Sequence, residues 1–182
     1  MKKVLTGSLI SLVLSSGLLA DGQWYVGGEY GIGSGDRTYD LTTNSTSIDG
    51  DSKFFTLKAG HITDSFDKIE FDFTKKDIEN SNDSSDTDSE KEYKLNFVLS
   101  LLSISYKTTL IPYLEAALGY GDSNAHGGQF ASHLGLGLMF NPTEHVELTA
   151  GYRYSTNLGS TDSGVDYTDQ FGEFLVGAAY KF

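Results

Sequence analysis

The sequence contains no cysteine among its 182 residues and only two prolines. Without cysteine the chain cannot build a disulfide framework, use a thiolate nucleophile or bind a metal through sulfur. Basic residues are also scarce, since 13 Lys and Arg stand against 25 Asp and Glu and leave a net charge of −12. This balance argues against nucleic acid as a partner, because phosphate binding requires an excess of positive charge.

Long hydrophobic runs are missing as well. The first residues pair a short basic segment, Lys2-Lys3, with an apolar stretch at 4–14 that ends before the polar Asp21. This layout is typical of a secretory signal peptide and is too short for a membrane helix, which needs roughly 20 apolar residues. We therefore expect a signal peptide at residues 1–20 and a single mature domain at residues 21–182.

The mature chain is instead rich in glycine and aromatics, with 21 Gly, 11 Tyr and 11 Phe. Apolar residues alternate with small or charged ones in eight stretches, which begin near Trp24, Phe55, Ile69, Tyr93, Leu114, Leu134, Val146 and Phe174. Period-two alternation indicates β-strands with one apolar face. Each stretch has about ten residues, the length that a tilted strand needs to cross a bilayer. The predicted fold class is all-β, an eight-stranded antiparallel up-and-down transmembrane β-barrel.

The predicted connections alternate between long and short. Long loops are expected at Ser34–Ser52, Asp77–Glu92, Gly121–Gly128 and Thr156–Gln170, and tight turns at Thr63–Asp67, Lys107–Leu110 and Asn141–His145. The long connections hold 15 acidic residues and two basic ones, so they carry nearly all of the net charge. Such polarity is typical of a barrel with one end facing the medium. A shift in the phase of alternation also predicts a β-bulge near Leu101-Leu102.

Alternation alone leaves open which face points outward. A soluble lipocalin-type barrel would turn its apolar face inward to line a ligand cavity. The reverse is favoured because aromatics gather at the strand ends and the opposite face carries few charges, of both signs. These charges are expected in the lumen: Glu29, Lys58, Glu70, Asp72, Lys94, Glu115, His133, Glu147, Arg153 and Glu173. They predict either a network of ion pairs that plugs the barrel or a gated ion path.

The whole mature chain resembles a family in this pattern. The predicted signal peptide, the eight amphipathic strands and the terminal Tyr180-Lys181-Phe182 look like the small OmpA/OmpX-type outer-membrane β-barrels of Gram-negative bacteria. The resemblance implies location in the outer membrane, contact with its lipid and lipopolysaccharide, and recognition of Tyr180 and Phe182 by the barrel-assembly machinery. The resemblance implies no cofactor.

The sequence gives only weak support for a catalytic or metal-binding site. Ser132 and His133 are adjacent on one predicted strand, so their side chains point to opposite faces and cannot act as nucleophile and base. Asp86, Asp88 and Glu90 have the alternating spacing of a Ca²⁺ loop, but the run lacks the central glycine and the distal glutamate of such loops. The other interpretation is a solvated acidic loop.

These observations predict a non-enzymatic protein of the outer membrane with a structural or surface-interaction role. Its acidic loops would meet the medium, divalent cations, lipopolysaccharide or the surface of a host or partner cell. Two alternatives remain at this point: a narrow channel for ions or small solutes, and a lipid-modifying enzyme.

Overall fold

The computed structural model describes residues 22–40, 45–63, 67–80, 83–101, 110–124, 127–161 and 164–182. These residues form eight strands: β1 (Gln23–Asp40), β2 (Ser45–Ile62), β3 (Lys68–Asn80), β4 (Asp83–Ser100), β5 (Leu110–Ser123), β6 (Gly127–Phe140), β7 (Val146–Ser160) and β8 (Asp166–Lys181). Consecutive strands pair antiparallel and β1 also pairs with β8, which closes the barrel. The predicted fold class is therefore confirmed. Across these ranges no helix has the length and apolar character that a membrane span requires.

The apolar face of the sheet points outward. Large hydrophobic side chains such as Leu134 and Phe174 are each 66% exposed, whereas Arg153 and Glu173 on the opposite face are nearly inaccessible. A water-soluble barrel would show the reverse arrangement, because burial of apolar surface drives its folding. The aromatic side chains on this outward face include Trp24, Tyr30, Phe55, Tyr93, Tyr120, Tyr154, Tyr180 and Phe182. The exterior thus has the composition that a lipid environment requires.

Large side chains and glycines fill the inside together. Tyr25, Phe54 and Tyr113 are buried on the inward face. A Cβ atom added to Gly137 would lie 2.5 Å from the carbonyl oxygen of Ala150 and 2.7 Å from the ring of Tyr113. Glycine at this position therefore makes room for an aromatic ring inside a barrel of only eight strands.

The prediction of four long loops is wrong. Most of Ser34–Ser52 belongs to β1 and β2, which stay paired as far as Asp40 and Ser45. The segments Asp77–Glu92, Gly121–Gly128 and Thr156–Gln170 likewise continue the paired strands of their hairpins. Apolar alternation ends where lipid contact ends, but main-chain pairing needs no apolar side chain and continues into water. The acidic segments are therefore extended β-hairpins.

The short connections lie at the opposite end of the barrel. Residues 141–145 join β6 to β7, as predicted, and the amide of Thr63 donates a hydrogen bond to the carbonyl of Asp67 in the turn after β2. The predicted bulge at Leu101-Leu102 and most of the predicted turn at Lys107–Leu110 lie outside the described residues, which stop at 101 and resume at 110. A separate irregularity in the register occurs between Glu79 and Asn80 of β3.

The assignment of the apolar face to the outside can be tested by placing an arginine at the middle of that face and another at its polar rim. Leu136 lies in the middle of the outward face of β6 and pairs with Leu114 and Tyr152, which are also exposed. We expect Leu136→Arg to lower the free energy of unfolding in lipid by about 2–4 kcal/mol, and Ser34→Arg at the polar rim to lower it by about 0–1 kcal/mol. Urea titration in lipid vesicles measures both. Equal losses for the two variants would contradict the assigned facing.

Candidate functional site: the charged interior and the outer rim

The strand alternation brings the charged side chains that were predicted from sequence into the lumen. All ten occupy inward positions and all are buried except Lys58, whose side chain is 9% exposed. They come from all eight strands, so their proximity depends on closure of the sheet. Charges in such an enclosed space require partners, because an unpaired buried charge is strongly destabilising.

Two basic side chains organise the centre of this interior. The ammonium group of Lys58 lies 2.5 Å from a carboxylate oxygen of Glu29 and 3.0 Å from one of Glu70. The guanidinium of Arg153 lies 3.2 Å from Glu173 and 3.7 Å from Glu29, and its carbon is 4.2 Å from the ring centre of Phe54. Glu29 therefore connects the two cations into one network.

Further pairs extend the network toward both ends. Near the short turns, Glu147 pairs with Lys68 and lies 3.6 Å from Lys181. Toward the long hairpins, Lys76 lies 2.6 Å from Glu173 and Lys94 lies 2.5 Å from Glu92. Lys68, Lys76 and Glu92 were absent from the sequence prediction, although each continues the inward parity of its strand.

A second cluster, which the sequence prediction missed, lies inside the extended hairpins. The buried guanidinium of Arg37 donates hydrogen bonds to Asp169 at 2.6 Å, to Glu90 at 2.7 Å and to Asp88 at 2.8 Å. Burial opposes its charge, but the hydrogen bond and charge of Asp169, followed by the charge of Glu90, raise the pKa of Arg37 above its ordinary value. Its partners lie on β4 and β8, so Arg37 holds three strands together.

The Arg37 cluster also revises the candidate cation site. Asp88 and Glu90 face inward and their carboxylates bind Arg37, while the side chain of Asp86 lies outside the described part of the molecule. Among the described residues no group of acidic and histidine side chains is arranged to hold a metal ion. The strand spacing that resembles a Ca²⁺ loop thus places two carboxylates on one face of β4.

Several buried polar groups have no hydrogen-bond partner among the described residues. They include both carboxylate oxygens of Asp72 and of Glu115 and both ring nitrogens of His133. Asp72 stands between Lys58 and Lys94 in the strand register, which supplies positive charge on either side. A cavity of about 20 Å³, room for about one water molecule, is lined by Glu29, Lys58 and Tyr113 among others.

The remaining candidate residues, apart from His133, lie on the outward face of the sheet. Ser132 is half-buried and its hydroxyl donates to the carbonyl of Thr156, whereas His133 is buried in the interior. The two side chains therefore point to opposite faces and form no catalytic pair. Tyr180 and Phe182 are exposed on the outward face, and the amide of Phe182 donates to the carbonyl of Trp24 across the closing seam. Their role as an assembly signal stays a prediction.

A closed barrel with a lipid-compatible exterior and a charged interior defines the class of transmembrane β-barrels. The sequence pattern of the outer membrane protein β-barrel domain family matches residues 7–182. The chain therefore belongs to this family of outer-membrane barrels.

Solved structures show the same fold. Neisserial surface protein A is 18% identical with a TM-score of 0.62, and the match covers 87% of this chain and 97% of that protein. The N-terminal β-barrel domain of Pseudomonas aeruginosa OprF is 16% identical with a TM-score of 0.50, and the match covers 89% and 100%. Curated protein sequences gave no significant match. At these identities the likeness concerns the fold alone.

The central ion pairs can be tested by a double-mutant cycle. We expect Arg153→Met to lower the free energy of unfolding by about 3–5 kcal/mol, because Glu173 and Glu29 lose a buried partner. Glu173→Gln in the same chain should recover part of this loss, so the two effects are not additive. Urea titrations in detergent or lipid measure the four corners of the cycle.

A matched control uses another buried glutamate. Glu147 pairs with Lys68 and Lys181 and lies six residues from Arg153 along β7, a distance of about 20 Å in an extended strand. Arg153→Met and Glu147→Gln should therefore be additive within about 0.5 kcal/mol. Additivity of Arg153→Met with Glu173→Gln as well would remove the case for a specific pair.

Proposed function

We propose that this protein is a closed outer-membrane barrel that presents acidic β-hairpins to the medium and acts as a structural or surface-interaction protein. The observation that carries this proposal is the interior, where ion pairs and aromatic side chains line a cavity with room for about one water molecule. Residues 1–20 would serve as the signal peptide for export.

The extended hairpins support the surface role. Asp40, at the end of β1, lies eight residues beyond the apolar Ile32, a rise of about 27 Å along the strand. Side chains that are outward-facing and acidic on the hairpins are Asp36, Asp40, Asp49, Asp51, Asp77, Glu79, Asp122 and Asp166. Partners at this end would be divalent cations or basic surfaces of other molecules, since opposite charge favours encounter.

A narrow channel is the second candidate function. The buried polar atoms of Asp72, Glu115 and His133 that accept or donate no hydrogen bond among the described residues favour it, because such groups are commonly bound to water. Such water could extend along the lumen and conduct small ions. The charged pairs of Lys58 and Arg153 would have to separate for this path to open.

Planar-bilayer recordings distinguish the two candidates. We expect the purified protein to give no reproducible conductance steps, because the central pairs occupy the cross-section of the barrel. A general porin prepared in the same detergent serves as the positive control for insertion and detection. Regular steps from this protein, in membranes where its insertion is verified, would overturn the closed barrel in favour of the channel.

The orientation of the barrel can be tested with an inserted epitope. An epitope between Ser84 and Ser85, at the start of β4, should be labelled by antibody on intact cells because this end is proposed to face the medium. Long insertions at such sites cost little folding free energy. The matched control is the same epitope between Thr143 and Glu144, in the turn at the other end, which should be labelled only after permeabilisation. The opposite pattern would invert the orientation.

A further inference from the structure

Three lysines stand together on the outward face, and in the part of the chain that the structure describes they are the exposed basic side chains of the barrel wall. Among the described residues, Arg37, Lys58, Lys68, Lys76, Lys94, Arg153 and Lys181 face the interior. Lys53, Lys75 and Lys91 face outward instead, on the consecutive strands β2, β3 and β4. We call these three residues the lysine row.

Each member of the lysine row sits just beyond an aromatic residue of the apolar band. Lys53 lies one outward position past Phe55, and Lys75 lies one outward position past Phe73. Lys91 has the same relation to Tyr93, whose ring centre is 5.2 Å from that of Phe73. Aromatic side chains of this kind mark the level of the lipid headgroups. The lysine row therefore lies where the apolar exterior of the barrel ends.

The lysines are also close enough together for their ammonium groups to repel one another. Lys75 and Lys91 are direct partners in the β3–β4 register, with Cβ atoms about 5 Å apart, and Lys53 is the diagonal neighbour of Lys75. Like charges directly opposite each other destabilise a sheet unless an anion lies between them. A bound anion would convert this repulsion into attraction for both side chains.

Acidic side chains flank the row, since Asp77 stands directly opposite Lys53 and Asp122 directly opposite Lys91 in the strand register. Lys53 lies 2.8 Å from Glu79 and Lys75 lies 3.6 Å from Asp77, with both lysine side chains more than half exposed. Exposed pairs of this kind contribute little and can exchange partners. One step farther from the lipid, Asp51 and Glu79 oppose each other and repel anions. An anion at the headgroup level would therefore compete with these exposed acids for the three ammonium groups.

We propose that the lysine row binds the phosphate groups of a phosphorylated lipid in the outer leaflet. The acyl chains of that lipid would lie against Phe55, Phe73 and Tyr93, while its phosphates would contact the ammonium groups above them. This binding would fix lipid to one side of the barrel, because the register partner of Lys53 on β1 is the uncharged Ile32, which in turn pairs with Phe174 on β8. The proposal goes beyond the proposed surface role and shares with it only the membrane-inserted barrel.

Native mass spectrometry of the detergent-solubilised, folded protein tests the proposal. Diphosphorylated lipid A is the probe, and monophosphorylated lipid A and phosphatidylcholine are the comparison lipids. We expect the diphosphorylated form to bind most tightly, and Lys75→Gln with Lys91→Gln to weaken it by about fivefold for each lysine removed. The pair Lys75→Arg and Lys91→Arg should retain binding, and raised salt should weaken the wild type.

A matched control distinguishes the loss of a specific binding site from a general effect of lower net charge. Thr168→Glu with Gln170→Glu lowers the net charge by the same two units on the outward face of β8, away from the lysine row. This variant should bind the diphosphorylated lipid as the wild type does. Equal weakening in both variants, or equal affinity of the wild type for all three lipids, would overturn the proposal. The assay needs neither cell-surface orientation nor conductance, so its failure is distinct from failure of the proposed function.

Discussion

Lipid offers no hydrogen bonds to a polypeptide, and this constraint determines the architecture. Each backbone amide and carbonyl in the apolar layer must find a partner within the protein, which only a helix or a closed sheet can provide. Here closure is completed by the pairing of β1 with β8, which extends from Tyr25 and Lys181 to Asp40 and Asp166. Once the sheet is closed, each strand has one face toward lipid and one toward a narrow interior.

The distribution of charge follows from this closure. A side chain that cannot face lipid must enter the interior or lie beyond the apolar band, and the interior admits a charge only with a partner. Lys58 and Arg153 satisfy this condition through Glu29, which lies on a third strand. The network is therefore a property of the closed barrel, because no single hairpin contains the three residues.

Period-two alternation predicts the strands and their facing because lipid contact imposes it directly on residues such as Leu134, Leu136 and Leu138. The pairing of Arg153 with Glu173 was also predictable, since β7 and β8 form one hairpin and bring these residues opposite each other. The hairpin extensions were not, because segments such as Asp49-Gly50-Asp51 are polar on both faces and carry no alternation. The ion pairs of Arg37 could not be predicted either, because its partners Glu90 and Asp169 are 53 and 132 residues away in the sequence.

Because the chain has no cysteine, single introduced thiols report on the interior without background. Thr56 is fully buried on the inward face of β2 beside Thr74, and Ser34 is exposed at the outer rim. In the folded protein in lipid, a charged water-soluble thiol reagent should modify a Ser34→Cys variant at once and leave a Thr56→Cys variant unmodified until urea unfolds it. Rapid modification of the Thr56→Cys variant in the folded barrel would contradict a closed, ion-paired interior.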